Sequence, residues 1–185
     1  MLELKEKFYV FLDFDGVLYD LKDMAKNTKS TVMSYVKRKH EKNGKSWPFS
    51  QDSMDALTYL MESLSTKYSP ELVISSTWRR IQPLDVKMLK SQGFDVSKYP
   101  ISRTSGEGNP LKRGLAVKQY LEKTPFPNNY VILDDQTYDF AEHFPEERWI
   151  HTNIVKDRLT LDKVEKFLDS IDCPHENGQD ISYSA

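Results

Sequence analysis

The sequence predicts an α/β protein with a Rossmann-like, mainly parallel sheet covered by helices on both faces. Two observations carry that expectation. Short runs rich in Val, Ile, Leu and aromatic residues occur at Phe8–Leu12, Leu72–Ile74 and Tyr130–Leu133, the pattern of strands buried on both faces. Between them lie longer segments with apolar residues at helical spacing. The chain has 185 residues, of which 38% are hydrophobic and 29% charged, enough for one well-buried core and short for two. A single domain over residues 1–173 is therefore the starting point.

The elements follow in order. Phe8–Leu12 forms the first strand and runs into Asp13-Phe14-Asp15-Gly16. Residues 20–50 break the alternation with a basic helical segment, Thr28 to Lys42, and a loop-like Asn43-Gly44-Lys45-Ser46-Trp47-Pro48; they read as a small inserted cap. The first long helix spans Asp52 to Tyr68, with Met54, Leu57, Leu60, Met61 and Leu64 on one stripe and Ser50 or Asp52 as its start signal. Leu72–Ile74 is the second strand, entering Ser75-Ser76-Thr77. Helices over Pro83–Gly93 and Leu111–Lys123 come next, the latter announced by Asn109-Pro110. Tyr130–Leu133 is the third strand, ending in Asp134-Asp135. A weaker strand at Arg148–Thr152 precedes a last helix, Leu161–Ile171, behind Thr160. Residues 174–185 are polar and aperiodic, as expected of a flexible tail.

Composition narrows the function classes. A net charge of −2 gives no general attraction to nucleic acid or to anionic membranes, so such a partner would have to be held locally. The one cysteine, Cys173, has no internal disulfide partner, and the start of the chain is a strand pattern rather than a secretion signal. No run approaches membrane-spanning length, which leaves the cytoplasm as the default location. His40, His143, His151 and His175 are scattered without metal-ligand spacing.

Chemistry collects where the strands end. In an open parallel sheet, ligands bind at the carboxyl ends of the strands, beside the point where strand order reverses. Each ending taken singly is common turn chemistry; their coincidence is not. Asp13-x-Asp15-Gly16 sets two carboxylates two residues apart, where a strict strand would point both the same way. Like charges at one spot repel, whereas a hard cation such as Mg²⁺ binds one or two carboxylates together with a substrate phosphate. Gly16 lets the chain turn sharply behind them. Ser75-Ser76-Thr77-Trp78-Arg79-Arg80 offers hydroxyls and N–H groups for an anion, and Arg79 or Arg80 a forked contact to phosphate oxygens. Capping hydroxyls and solvated arginines explain that stretch equally well on their own. Asp134 and Asp135, with Asp139 beyond, mass negative charge again. The cation to balance a phosphate is sought in Lys112 or Arg113.

In order and context these motifs resemble those of phosphatases of the haloacid dehalogenase (HAD) superfamily. The specific matches are Phe8–Val17 (FYVFLDFDGV) and Tyr130–Asp135 (YVILDD). Ser76-Thr77-Trp78-Arg79, the Arg113-x-x-Ala116-Val117-x-x-Tyr120-Leu121 spacing and the LDD strand look more narrowly like the small HAD domains of RNA-repair proteins, which are related to polynucleotide 3′-phosphatases. Ala116, where such domains often carry an acid, and Arg158-Leu159-Thr160, where Gly-Leu-Thr is expected, depart from that narrower pattern.

The resemblance implies Asp13 as the nucleophile and Asp15 as the general acid and base. It implies Mg²⁺ held by Asp13, Asp15 through its backbone carbonyl, and Asp134 or Asp135. Ser76 would bind phosphate with the Thr77 N–H, in preference to Ser75, and Arg113 would supply the cation, with Lys112 in reserve. The substrate would be a phosphomonoester, with nucleic-acid 3′-phosphate ends, RNA or DNA, as the specific candidate. A cap of this size leaves an open cleft, and Lys37-Arg38-Lys39-His40-Glu41-Lys42, Lys45 and Trp47 could serve a nucleic-acid chain, although a solvated helix face explains them better. The competing readings are a small-molecule phosphatase such as a 5′-nucleotidase, and a HAD-fold binding module without catalysis.

Overall fold

The computed structural model describes residues 4–20, 49–80, 83–105 and 112–172. Most of the expected cap, its basic segment, the Asn109-Pro110 start signal and the tail with Cys173 lie outside them.

Five strands form one sheet: β1 (Lys7–Leu12), β2 (Ser69–Ile74), β3 (Ile101–Arg103), β4 (Tyr130–Asp134) and β5 (Trp149–His151). All neighbours pair in parallel, in the order β3-β2-β1-β4-β5. Among the described residues four α-helices accompany them: α1 (Gln51–Lys67), α2 (Leu84–Ser91), α3 (Arg113–Leu121) and α4 (Leu161–Asp172). β1 is central and buried on both faces, which is why its sequence is apolar without alternation. Phe8, Val10 and Leu12 pack in a core with the Met54, Leu57, Leu60, Met61 and Leu64 stripe of α1, Met88 and Leu89 of α2, and Val164 and Phe167 of α4. Tyr9 and Phe11 face the other way, into a smaller core with Val117 and Leu121 of α3 and Phe140. The sheet thus carries helices on both faces.

β3 was not foreseen. It is a three-residue edge strand, half-buried, with no apolar run to announce it; pairing with β2 and an ion pair from Arg103 to the buried Asp85 of α2 (2.6 Å) hold it. The helix at Leu111–Lys123 is also shorter than its periodicity suggests and begins at Arg113.

β1 and β4 are adjacent in the sheet, although the chain visits β2 and β3 between them. Successive strands are added on one side of β1 up to β3 and on the other side from β4 onward. The reversal opens a crevice at the carboxyl ends of β1 and β4, the position where such sheets bind ligands.

Candidate active site

β1 ends at Leu12, three residues short of carrying both Asp13 and Asp15. Asp13–Gly16 is a loop, so the strict strand alternation that would point both carboxylates one way does not extend to them. The Asp13 N–H donates to the Leu133 carbonyl of β4 (2.9 Å), and its carboxylate accepts the Phe14 N–H (2.7 Å). Gly16 sits at φ +73°, and a Cβ there would meet the Asp135 side chain at 2.5 Å. Only glycine allows the β1 and β4 loops to lie this close.

Asp13, Asp134 and Asp135 are all buried, and one oxygen from each lies within 4.8 Å of the others. Burial, and then the charge of Asp13, push the Asp134 carboxyl well above its usual range; burial also raises Asp135. The nearest cation is Arg113, first residue of α3, whose Nη1 donates to Asp13 and, at 2.5 Å, to Asp134. Burial opposes that charge, but the two aspartates outweigh it and raise the Arg113 pKa further. Three acidic side chains thus share one space bridged by Arg113. An all-oxygen donor set of this kind suits a hard divalent ion, and HAD proteins typically use Mg²⁺.

Asp15 stands apart from that trio. Its carboxylate accepts the Trp78 indole N–H on both oxygens (3.3 and 3.2 Å) and the Tyr19 hydroxyl on Oδ1. Burial first, and the Asp13 charge second, push it up to about 6 against the pull of the Trp78 hydrogen bond. Such a carboxyl can both give and take a proton near neutral pH.

The β2 loop closes the crevice from the other side. The Ser75 and Ser76 N–H groups donate to the Leu12 carbonyl (3.0 and 3.3 Å), level with the start of the Asp13 loop. Ser76 Oγ accepts the Trp78 N–H (3.3 Å), while the Ser75 hydroxyl is buried and has no hydrogen-bond partner among the described residues. Both serines therefore remain candidates for the phosphate oxygen. Thr77 and Arg80 are exposed. Arg79 is buried and turned inward: Nη1 donates to the Ser75 and Ser76 carbonyls (2.8 and 2.7 Å) and Nε to that of Ser105 (3.1 Å). Through Nη1 and Nε the guanidinium holds the serine loop, at the place where the sequence suggests a phosphate contact. Lys112 is exposed just before α3, so the fold brings Arg113 of that pair to the carboxylates.

Three contributors escaped the sequence. Trp78 and Tyr19 reach Asp15, the latter through an i,i+4 spacing that was there to be read. Asp139, noted only as further acidity, accepts the Gly114 and Leu115 N–H groups (2.6 and 3.0 Å) and so caps the start of α3 from the β4 loop. That cap holds the first turn of the helix on which Arg113 stands first. Beside it Tyr138, at φ +34°, lays its ring 4.8 Å from the Arg113 guanidinium.

A doubly covered parallel sheet with an acidic cluster at its switch point is the architecture of a Rossmann-like α/β protein with a ligand crevice. The chain belongs to the family described as the HAD domain in Swiss Army Knife RNA repair proteins, whose pattern it matches over residues 9–163. Comparison with curated proteins and with solved structures returns no match. Among the described residues no helix is long and apolar enough to cross a membrane.

Proposed function

We propose that this protein is a Mg²⁺-dependent phosphomonoester hydrolase working through an aspartyl-phosphate on Asp13, with nucleic-acid 3′-phosphate ends as its substrate. The observation that carries the reading is the convergence of Asp13, Asp134 and Asp135 on one space, bridged by Arg113, beside the separately held Asp15. Family membership supports the hydrolase class and the connection to RNA repair.

The residues divide the work. Asp13 attacks phosphorus, and Asp15, two residues on but outside the carboxylate trio, hands a proton to the departing ester oxygen and takes one from the water that follows. Arg113, already on the nucleophile, offers its guanidinium to the equatorial phosphoryl oxygens, where charge spreads in the transition state. Ser76 and the Thr77 N–H bind a phosphoryl oxygen on the other side, the loop being held by Arg79. Asp13, Asp134 or Asp135 and the Asp15 carbonyl would hold Mg²⁺, which would supply the positive charge that lets an anionic nucleophile approach an anionic ester. The domain is taken to span residues 1–173, with a small cap at about 20–50 governing access.

Hydrolysis of an aryl phosphate with Mg²⁺ is expected, lost in EDTA and in Asp13→Asn, and no turnover under any metal condition would leave a binding module instead. Faster turnover of a 3′-phosphorylated oligonucleotide than of free mononucleotides supports the repair substrate. The reverse preference replaces it with a small-molecule phosphatase.

A further inference from the structure

Asp15 receives more donors than a turn carboxylate needs, and they come from two separate stretches of chain. Tyr19 lies just beyond the β1 loop, stacked on Phe49 at 6.0 Å and 1% exposed. Trp78 sits in the short helical turn Thr77–Arg80 after β2, 5% exposed, with its own N–H fixed on Ser76 Oγ. An indole N–H in this protein is not satisfied automatically: that of Trp149 is buried with no hydrogen-bond partner among the described residues. The Trp78 indole, by contrast, spans both oxygens of one carboxylate two residues from the nucleophile. Oδ1 is thereby committed to two donors, and Oδ2 shares only the indole.

We propose that Trp78 and Tyr19 are positioning residues that clamp the Asp15 carboxylate so that Oδ2 faces the ester oxygen of the substrate. The inference rests on the phosphohydrolase reading. In the first half-reaction an Asp13 oxygen bonds to phosphorus, the bond from phosphorus to the ester oxygen breaks with its electron pair on that oxygen, and the proton on Asp15 Oδ2 moves to it. In the second, a water oxygen bonds to phosphorus, the Asp13–phosphorus bond breaks, and a proton of the water returns to Oδ2. Both transfers need one oxygen aimed at one line of attack, and a carboxylate free to rotate would spread its proton over many directions. The clamp also ties the serine loop to the β1 loop, so the phosphate-binding and proton-transferring groups move as a unit.

A clamp acting through Asp15 is distinguished from one that merely packs the site by the leaving group. A nitrophenolate departs without a proton, whereas an alkoxide does not. The test compares full-length wild type with Trp78→Phe and Tyr19→Phe on a nitrophenyl phosphate and on an alkyl phosphate, with Mg²⁺. For Trp78→Phe, kcat/KM, which reports the first half-reaction here, should fall about 10²-fold on the alkyl ester and only a few-fold on the aryl ester. The aryl reaction should also show a nitrophenolate burst, because the phosphorylated enzyme waits for its base. Tyr19→Phe, which removes one hydroxyl, should give the same asymmetry more weakly and decides the matter if Trp78→Phe does not fold. In an Asp15→Asn background neither substitution should cost anything further. Equal losses on both esters, or full additivity with Asp15→Asn, overturn the clamp while leaving the hydrolase intact. A wild type inactive on both esters overturns the hydrolase reading, and the clamp with it.

Discussion

The two ends of the sheet treat buried acid in opposite ways. Toward the amino end of β2, Glu71 is buried among partners that cancel it: the Lys7 ammonium at 2.7 Å and the Tyr120 hydroxyl at 2.8 Å, itself 2.6 Å from the Ser102 hydroxyl. Burial alone would push the Glu71 carboxyl up, but hydrogen bonds from Lys7, Ser102 and Tyr120 and the Lys7 charge hold it below its usual value. At the carboxyl ends of β1 and β4, Asp134 and Asp135 stay raised, although Arg113 bridges Asp134 to Asp13. A charge kept for stability is neutralised where it lies, and one kept for function is left in want of a ligand. The contrast yields substitutions whose effects on activity and stability should separate.

The largest separation belongs to Asp134→Asn. Activity should fall at least about 10³-fold, since the substitution removes a proposed metal ligand. The thermal midpoint without metal should hold or rise, because a repelling charge leaves a buried cluster. Wild type should gain thermal stability from added Mg²⁺ and the variant much less, measurable by calorimetry. A variant that loses both activity and stability would mean the acids are held by Arg113 as structure, and the contrast would collapse.

Gly16→Ala should come next, damaging both properties together. A side chain at φ +73° is strained and would overlap Asp135, so the β1 and β4 loops must part. A cost of about 1–3 kcal/mol in stability, with an activity loss of about 10²-fold, is expected from denaturant melts and steady-state rates. Activity near wild type would show that the spacing of the two loops does not matter to the chemistry.

How far the sequence carried this picture depends on the range over which each feature is determined. β1 and β4 and the stripe of α1 were legible because burial on two faces or on one writes itself into consecutive residues. The acids Asp13, Asp134 and Asp135 could be grouped because strand ends in a parallel sheet share one edge. β3 escaped, being three half-buried residues held by a neighbour strand and by the Arg103 pair. Lys112 and Arg113 could not be separated by composition, since the first turn of α3 is capped by Asp139, beyond the helix and across the β4 loop. Nothing local to Arg79 says that the carbonyls of Ser75, Ser76 and Ser105 engage it.

Asp139→Ala probes that distant cap, and its effect should be smaller. Losing the cap of α3 should cost about 1–2 kcal/mol, and activity should fall about tenfold as Arg113 loses its fixed entry. Asp139→Asn, which keeps an acceptor oxygen, should recover much of both. If the alanine variant loses stability but keeps its rate, Arg113 is positioned by Asp13 and Asp134 alone.

Glu71→Gln makes the gentlest change and tests the quiet end of the sheet. The glutamine keeps an acceptor for Tyr120 but gives up the Lys7 ion pair, and Lys7 is 45% exposed in its side chain, so solvent screens much of that attraction. A loss of about 1 kcal/mol or less is expected at neutral pH, with the aryl phosphatase rate unchanged because the residue lies at the far end of β2. The sign of the pH effect is fixed by the direction of the shift. A carboxyl whose folded pKa lies below its unfolded value of 4.5 contributes stability that is fully present above 4.5 and is lost as pH falls through the lower folded value. Wild type should therefore lose stability over that acidic window more steeply than Glu71→Gln, and the two melting curves should converge once Glu71 is protonated. Parallel curves across the window would show that Glu71 is as uncompensated as the acids at the opposite edge, which removes the distinction between the two ends.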